Sequence, residues 1–476
     1  MTTETQTAAP STPPLAAPSS PWKLLNRYHW FVLIVAALGW LFDCLDQQLF
    51  ILARAPAMRE LLRQPDIADP VEKAKVFKGM VTAYSTYATS IFLIGWASGG
   101  LFFGVLGDRI GRAKTMLITI LLYSLCTGLS ALSTGFWDFA AYRFLTGLGV
   151  GGEFAVGVAL VAEVMPDRAR PFALGLLQAL SAVGNISAAA ISMAMGPLVE
   201  HGVFASVWRP MFVIGAVPAL LALLIRSKLK EPERWQKVSG AGASAPRLGS
   251  YRALFSNPVW RRNALIGLTL AFSGVVGLWA VAFYTVDLLD NVLRTRFTAE
   301  GLAAKVIEGK VSWWKAWASV MINVGAFFGM LTFSVVAQRI GRRITFAFAF
   351  TTAAISTAAV FWFLKDFSQI FWMLPIMGFC QLAAFAGYAI YFPELVPTYL
   401  RSTGTSFCYN VGRFVAAIGP AALGLLTSRV FADKPEPMRY AGVTMCLIFV
   451  VGLLVLPFAP ETKGQPLPED DGFPAH

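Results

Sequence analysis

Five ionisable side chains stand inside apolar stretches of this 476-residue chain: Asp43, Asp46, Arg143, Glu153 and Arg413. A charge in such surroundings is costly and is functional by default. Asp43 and Asp46 are three residues apart, so a helix presents both carboxylates on one face. Burial and mutual repulsion oppose ionising both, while a guanidinium nearby favours it. Counted from Phe31, the two aspartates lie roughly 18–23 Å along their helix, and Arg143 lies about 10 Å along its own from Phe136. Run in opposite directions, the two helices bring these three side chains to a similar depth. Such a set can take up a proton on one side and release it on the other, or hold two helices together as a static pair. Glu153, further along the same stretch as Arg143, either extends the proton path or satisfies a polar group at a helix contact.

Arg413 sits in Tyr409-Asn410-Val411-Gly412-Arg413-Phe414, near the middle of its apolar stretch, with no acidic residue of the same half to pair with it there. Its planar fork fits a carboxylate and does not deprotonate. A substrate anion supplies the missing charge; the other readings are pairing with Asp43 or Asp46 from the other half, or with backbone carbonyls. Uncharged candidates for the same cavity are Tyr84, Tyr87, Gln178, Asn185, Trp279, Tyr284, Asn323, Gln381, Tyr388 and Asn410. His29, His201 and His476 lie away from the centres of the apolar stretches, which argues against a histidine relay.

The elements that position these residues are membrane helices. The chain is 56% hydrophobic and only 14% charged, where a soluble domain carries about 25% charge. That excludes a soluble enzyme and a disordered chain. Twelve apolar runs are each long enough for a hydrocarbon core of about 30 Å; 30–52, 79–106, 208–225 and 402–428 are four of them. An even count places both termini on one side. Arg109, Arg112 and Lys114, with Arg339, Arg342 and Arg343, cluster against run ends and put that side in the cytoplasm. The expected fold is an all-α integral membrane protein, multi-pass in the inner or plasma membrane, with twelve transmembrane helices in two six-helix bundles. The expected divisions are a disordered cytoplasmic tail over 1–27, a first bundle over 28–225, a cytoplasmic linker over 226–261, a second bundle over 262–460 and a tail over 461–476. The net charge of +12 sits in loop clusters and implies no nucleic acid, and five cysteines within apolar runs imply neither disulfides nor a metal site. A monomer with no cofactor is expected.

The halves repeat. Arg109-Ile110-Gly111-Arg112 returns at an offset of 230 as Arg339-Ile340-Gly341-Arg342, and Glu163, Pro166, Arg170 return at 231 as Glu394, Pro397, Arg401. Each half also carries a long charged loop between its first two runs, at 53–78 and 286–315. Three matches in register point to duplication. Asp108, Arg109, Arg112, Glu163 and Arg170, with Arg339, Arg342, Glu394 and Arg401, can pair across the cytoplasmic face in one conformation and separate in another; the alternative is that they only set topology. At these offsets the five buried charges meet Ser273, Val276, Leu374, Ala384 and Ala182, so the centres of the halves differ. Gly147, Gly149, Gly151 and Gly152 follow no strand, which excludes a dinucleotide loop and leaves close helix packing.

Gly107-Asp108-Arg109-Ile110-Gly111-Arg112-Ala113-Lys114 resembles the loop signature of the major facilitator superfamily, and Arg143 through Glu153 resembles its fourth-helix signature. Lys230-Glu231-Pro232-Glu233-Arg234 and Pro460-Glu461-Thr462-Lys463-Gly464 are similar to segments after helices 6 and 12 of its sugar-porter-like branches. Asp43 and Asp46 resemble the helix-1 pair of its proton symporters for aromatic, sialic and other organic acids, and the stretch from Gly412 through Pro420 that of its organic-anion carriers. The resemblance covers about residues 28–464. It implies a transporter, not an enzyme. The leading expectation is a proton-coupled symporter importing a small organic anion, such as a monocarboxylate, by alternating access. Coupling rests on Asp43, Asp46, Arg143 and Glu153, and anion binding on Arg413. A sugar or polyol symporter comes second and a drug or metabolite exporter third.

Overall fold

The computed structural model describes residues 21–200, 203–204, 206–240, 247–281, 285–416, 422–423 and 425–468. Tyr284, most of the first tail and the end of the last lie outside them. Among the described residues every regular element is a helix.

Asn26 caps α1 (Arg27–Leu61) by accepting from the His29 backbone N–H. Asp69 caps α2 (Pro70–Ile110), whose first residue is a proline with no N–H to leave unpaired. These helices have 35 and 41 residues, so at about 1.5 Å per residue both run well beyond the hydrocarbon core. Residues 53–78 are therefore not a long loop: the charged segment continues both helices, and only a short turn separates them. The expected loop at 286–315 is likewise helical, in α11 (Thr285–Ala299) and the start of α12 (Ala304–Ile340). One-turn pairs such as Arg294 Nε to Asp290 Oδ2, 2.6 Å, support helix in so polar a stretch.

Between them come α3 (Arg112–Ser130), α4 (Phe136–Val164), α5 (Arg170–Glu200), α6 (Trp208–Ile214), α7 (Leu221–Lys228), α8 (Glu233–Ser239), α9 (Tyr251–Ser256) and α10 (Pro258–Val276). After α12 come α13 (Arg342–Phe363), α14 (Ile370–Tyr391), α15 (Arg401–Ala416) and the helices of 437–458. Ten helices among the described residues are long and apolar enough to cross a membrane. Of the two further expected spans, 208–225 is interrupted after α6 near Pro218, where no backbone N–H is available. The other, 402–428, leaves the described residues at the end of α15.

The glycines of α4 do pack. A Cβ at Gly151 would lie 2.0 Å from the Trp96 carbonyl of α2, so only glycine permits this crossing. A Cβ at Gly147 would lie 2.3 Å from the Phe92 carbonyl of α2. At Gly378 of α14, 231 residues on, it would lie 2.0 Å from the Ile322 carbonyl of α12, 230 residues beyond Phe92, so the repeat extends to helix contacts. Between the halves, α2 packs on α15 and α5 on α12.

Candidate functional site

Asp46 and Arg143 are both fully buried. Asp46 Oδ1 accepts a hydrogen bond from Thr127 Oγ1 at 2.7 Å, and Oδ2 lies 3.9 Å from an Arg143 terminal nitrogen. The rest of the guanidinium donates to Ser130 Oγ, at 2.6 Å from one nitrogen and 3.2 Å from Nε, and lies against the rings of Phe50, Phe139 and Phe212. The sequence pairing of Asp46 with Arg143 is thus present as a loose ion pair. Asp43, one turn earlier, is not bonded to Arg143; neither of its oxygens has a hydrogen-bond partner among the described residues. Glu153 Oε2 accepts from Thr119 Oγ1 at 2.6 Å, while Oε1 is unpartnered and rests where a side chain at Gly39 would stand.

Arg413 is buried on α15, with the Trp96 and Tyr409 rings each 4.2 Å from its central carbon. One terminal nitrogen donates to the Tyr409 carbonyl and to Asn410 Oδ1, both at 3.0 Å. Nε has no partner, and no carboxylate pairs with this guanidinium among the described residues. Pairing with Asp43 or Asp46 is not found among the described residues.

The uncharged candidates separate into groups. Asn410 lies at the α2–α15 crossing and bonds back to Ser406, and Trp279 meets Trp96 edge-on with centroids 6.2 Å apart. Gln381 donates to the Gly277 carbonyl, leaving its own oxygen free, as is that of Gln178. Asn185 donates to Asn323 at 2.9 Å, joining α5 to α12. Tyr388 commits its hydroxyl to the Leu270 carbonyl. Tyr84 packs edge-on against Phe136 and Tyr87, and Tyr87 is 55% exposed.

The loop residues close one end of the molecule. Asp108 accepts from the Ser402 and Thr403 backbone N–H groups and from Thr403 Oγ1 (2.6 Å), and it pairs with Arg112 at 3.0 Å. Arg112 also donates to Glu163 at 2.9 Å and to the Thr398 carbonyl, and Arg401 reaches Glu163 at 3.0 Å. In the second half Arg342 grips both Glu394 oxygens, at 2.7 and 3.1 Å. Arg170 binds the Ala162 carbonyl and Asp167. Arg109 donates to the Leu248 carbonyl, and the Arg339 carbonyl accepts from Lys463.

The profile of the Major Facilitator Superfamily matches residues 76–304 and 311–475. The chain belongs to this superfamily. It is 30% identical over 345 residues to the cis,cis-muconate transport protein of Acinetobacter baylyi, covering 71% of this chain and 77% of that one. It is 28% identical over 448 residues to a putative metabolite transport protein of Haemophilus influenzae, covering 93% and 99%. In fold it is similar to the proton:xylose symporter XylE bound to 6-bromo-6-deoxy-D-glucose, with a TM-score of 0.69 at 16% identity over 92% of this chain and 98% of that one. The protein is a membrane-embedded transporter and not an enzyme.

Within this superfamily chain, two residues that the sequence reading named without a role prove to be helix caps. Glu231 accepts from the Ala113 and Lys114 backbone N–H groups, and Glu461 from those of Arg342 and Arg343. Each carboxylate caps the helix that follows a loop glycine, Gly111 (φ 112°) or Gly341 (φ 98°). Their spacing, 231 to 461, equals the 230 offset of the loops and was the available signal. Burial opposes charge on Glu461, but the backbone N–H groups of Arg342, Arg343 and Lys463 outweigh it and hold the carboxyl below its usual range. Thr119, Thr127 and Ser130 were also missed, since hydroxyls in an apolar helix carry no signal of their own.

Proposed function

We propose that this transporter carries a small organic anion by alternating access, coupled to protons and directed into the cell. The observation that carries the reading is Arg413, a buried guanidinium packed against the Trp96 and Tyr409 rings, which no carboxylate neutralises among the described residues. Removing a cation from water without a counter-ion costs several kcal/mol. A substrate carboxylate meeting the free Nε edge in the plane of the guanidinium restores the balance. The relative named for muconate, a dicarboxylate, supports the same substrate class. Proton uptake at Asp46 discharges the carboxylate next to Arg143 and makes the incoming negative charge easier to accept. The six-helix bundles on either side of the linker then rock about the α2–α15 and α5–α12 contacts.

The test is binding by the purified protein, followed as thermal stabilisation and by calorimetry. Muconate and related carboxylates are expected to bind, and Arg413→Lys to weaken binding by about tenfold or more, since a point charge replaces a planar fork. Stabilisation by sugars alone, or full carboxylate affinity in Arg413→Ala, would sink the anion reading. Carboxylate uptake indifferent to a pH gradient would sink the coupling.

A further inference from the structure

A buried indole N–H ordinarily finds an acceptor, because a hydrogen bond left unmade in a dry site is costly. Trp96 on α2 is 2% exposed, and its Nε1 has no partner among the described residues. The ring is held in place without one. The backbone N and carbonyl of Trp96 lie against Gly147 and Gly151 of α4, where an added Cβ would stand 2.9 and 2.0 Å away. Phe92 and Trp279 meet the ring edge-on, with centroids 5.6 and 6.2 Å from its own.

The same ring lies 4.2 Å from the central carbon of Arg413, whose Nε is a second buried donor without a partner. The two donors come from different halves. Arg413 is held on α15 by the Tyr409 carbonyl and by Asn410 Oδ1. Asn410 in turn occupies the space that a side chain at Gly100 of α2 would take, its amide nitrogen 2.2 Å from where that Cβ would stand. Gly100 is one turn beyond Trp96, so guanidinium and indole keep their spacing while α2 and α15 stay together. Since Nε1 is an atom of the ring packed on Arg413, a carboxylate bound to the Arg413 Nε at about 2.9 Å has the indole N–H within reach of its second oxygen.

We infer that Trp96 is a substrate-binding residue: its indole N–H donates to the carboxylate whose charge Arg413 neutralises, so one anion is held by both halves. The inference rests on the anion reading of Arg413 and adds to it a donor from the first half. An anion held in this way favours the conformation in which α2 and α15 are in contact, because separating them parts its two donors. Trp40 on α1 supplies the comparison. Its Nε1 is also buried and unpartnered among the described residues, but its ring packs on Phe154 and Tyr409, with centroids 4.8 and 6.5 Å away.

Trp96→Phe keeps an aromatic ring beside Arg413 and removes the N–H. Because that N–H is unpaired without substrate, the melting temperature of the unliganded variant is expected to stay at or above the wild-type value. Calorimetry with cis,cis-muconate is expected to show binding about tenfold weaker in Trp96→Phe, and within about twofold of wild type in Trp40→Phe. With fluorotryptophan incorporated, the fluorine resonance that Trp96→Phe lacks is expected to shift when muconate is added to the wild type, and to stay in place in Arg413→Ala. Wild-type affinity in Trp96→Phe, with Arg413→Lys still weakened, overturns the Trp96 contact and leaves the anion reading standing. An equal loss in Trp40→Phe, or a lowered melting temperature in unliganded Trp96→Phe, assigns the effect to aromatic packing and overturns the contact as well. A wild type that binds neither muconate nor benzoate sinks the anion reading and takes the contact with it.

Discussion

The loop after α2 and the loop after α12 carry the same residues, Arg-Ile-Gly-Arg, and hold different partners. In the first, Arg112 is shared among Asp108, Glu163 and the Thr398 carbonyl, and Asp108 receives two backbone N–H groups from the start of α15. Arg401 then returns from α15 to Glu163, so the network joins the halves. In the second, Arg342 is taken by both oxygens of Glu394, which Thr462 also supplies. Among the described residues no ion pair joins Arg342 or Glu394 to the first half, and Arg170 attracts Glu394 only weakly. The position equivalent to Asp108 is Gln338, and α5 begins Arg170-Pro171, where α15 begins Arg401-Ser402. Proline has no N–H to give. The difference lies in the groups around the repeated arginines: a duplicated motif has become a bridge on one side and an internal brace on the other.

Asp108 is where that comparison is easiest to break. It is fully buried with its partners, and removing one member of such a set costs about 3–5 kcal/mol. Asp108→Ala is expected to open this end of the molecule. Spin labels at Lys114 and Arg339, both exposed, are expected to move apart by about 5 Å or more. Gln338→Asp is expected to leave the distance unchanged and the stability within about 0.5 kcal/mol of wild type, because Pro171 lacks the N–H and Phe172 the hydroxyl that Ser402 and Thr403 give Asp108. An equal response to the two substitutions would mean that the loops are equivalent after all.

Glutamate replacement sharpens the same contrast at a smaller scale. Glu163 lies between Arg112 and Arg401, 2.9 and 3.0 Å away, so Glu163→Gln leaves Arg401 without its carboxylate and Arg112 with Asp108 alone. Glu394→Gln releases a bidentate pair inside one half, worth about 2 kcal/mol. The expected result is a lower melting temperature in both variants, with a lengthened Lys114–Arg339 distance in Glu163→Gln alone. Lengthening in Glu394→Gln to the same extent would make the Arg170 attraction as much a bridge as the first network.

Much of this architecture was legible because it is periodic or duplicated. Apolar runs announced the helices, the 230–231 offset announced the loops, and a lone Arg413 announced itself by lacking a counterpart. What escaped was set by geometry across helices. Nothing local distinguishes Asp108, which crosses to Ser402 and Thr403 nearly 300 residues away, from a topology charge beside Arg109. Charge density at 53–78 and 286–315 suggested loops because exposed helix surface and loop have similar composition; only the pairing of Asp290 with Arg294 and Lys315 distinguishes them. Tyr84 and Tyr87 were gathered with the cavity residues by type, but helix rotation turns Tyr87 outward.

The smallest expected effect tests where the halves should agree. Glu231 and Glu461 each accept two backbone N–H groups, at 3.1 and 3.1 Å and at 2.9 and 3.1 Å, on the first residues of α3 and α13. Loss of a carboxylate cap costs about 1 kcal/mol, so Glu231→Gln and Glu461→Gln should lower stability alike without moving the spin labels. Acid provides a second check. The Glu461 carboxyl is held below its usual value of 4.5, so its contribution is complete above that value and is lost as pH falls through the lowered one. Thermal unfolding of the wild type is therefore expected to lose part of its stability below about pH 4.5, and Glu461→Gln to lack that part. A glutamine variant with the full acid response would place the titrating group elsewhere and leave Gly341 as the sole reason the second loop turns as the first does.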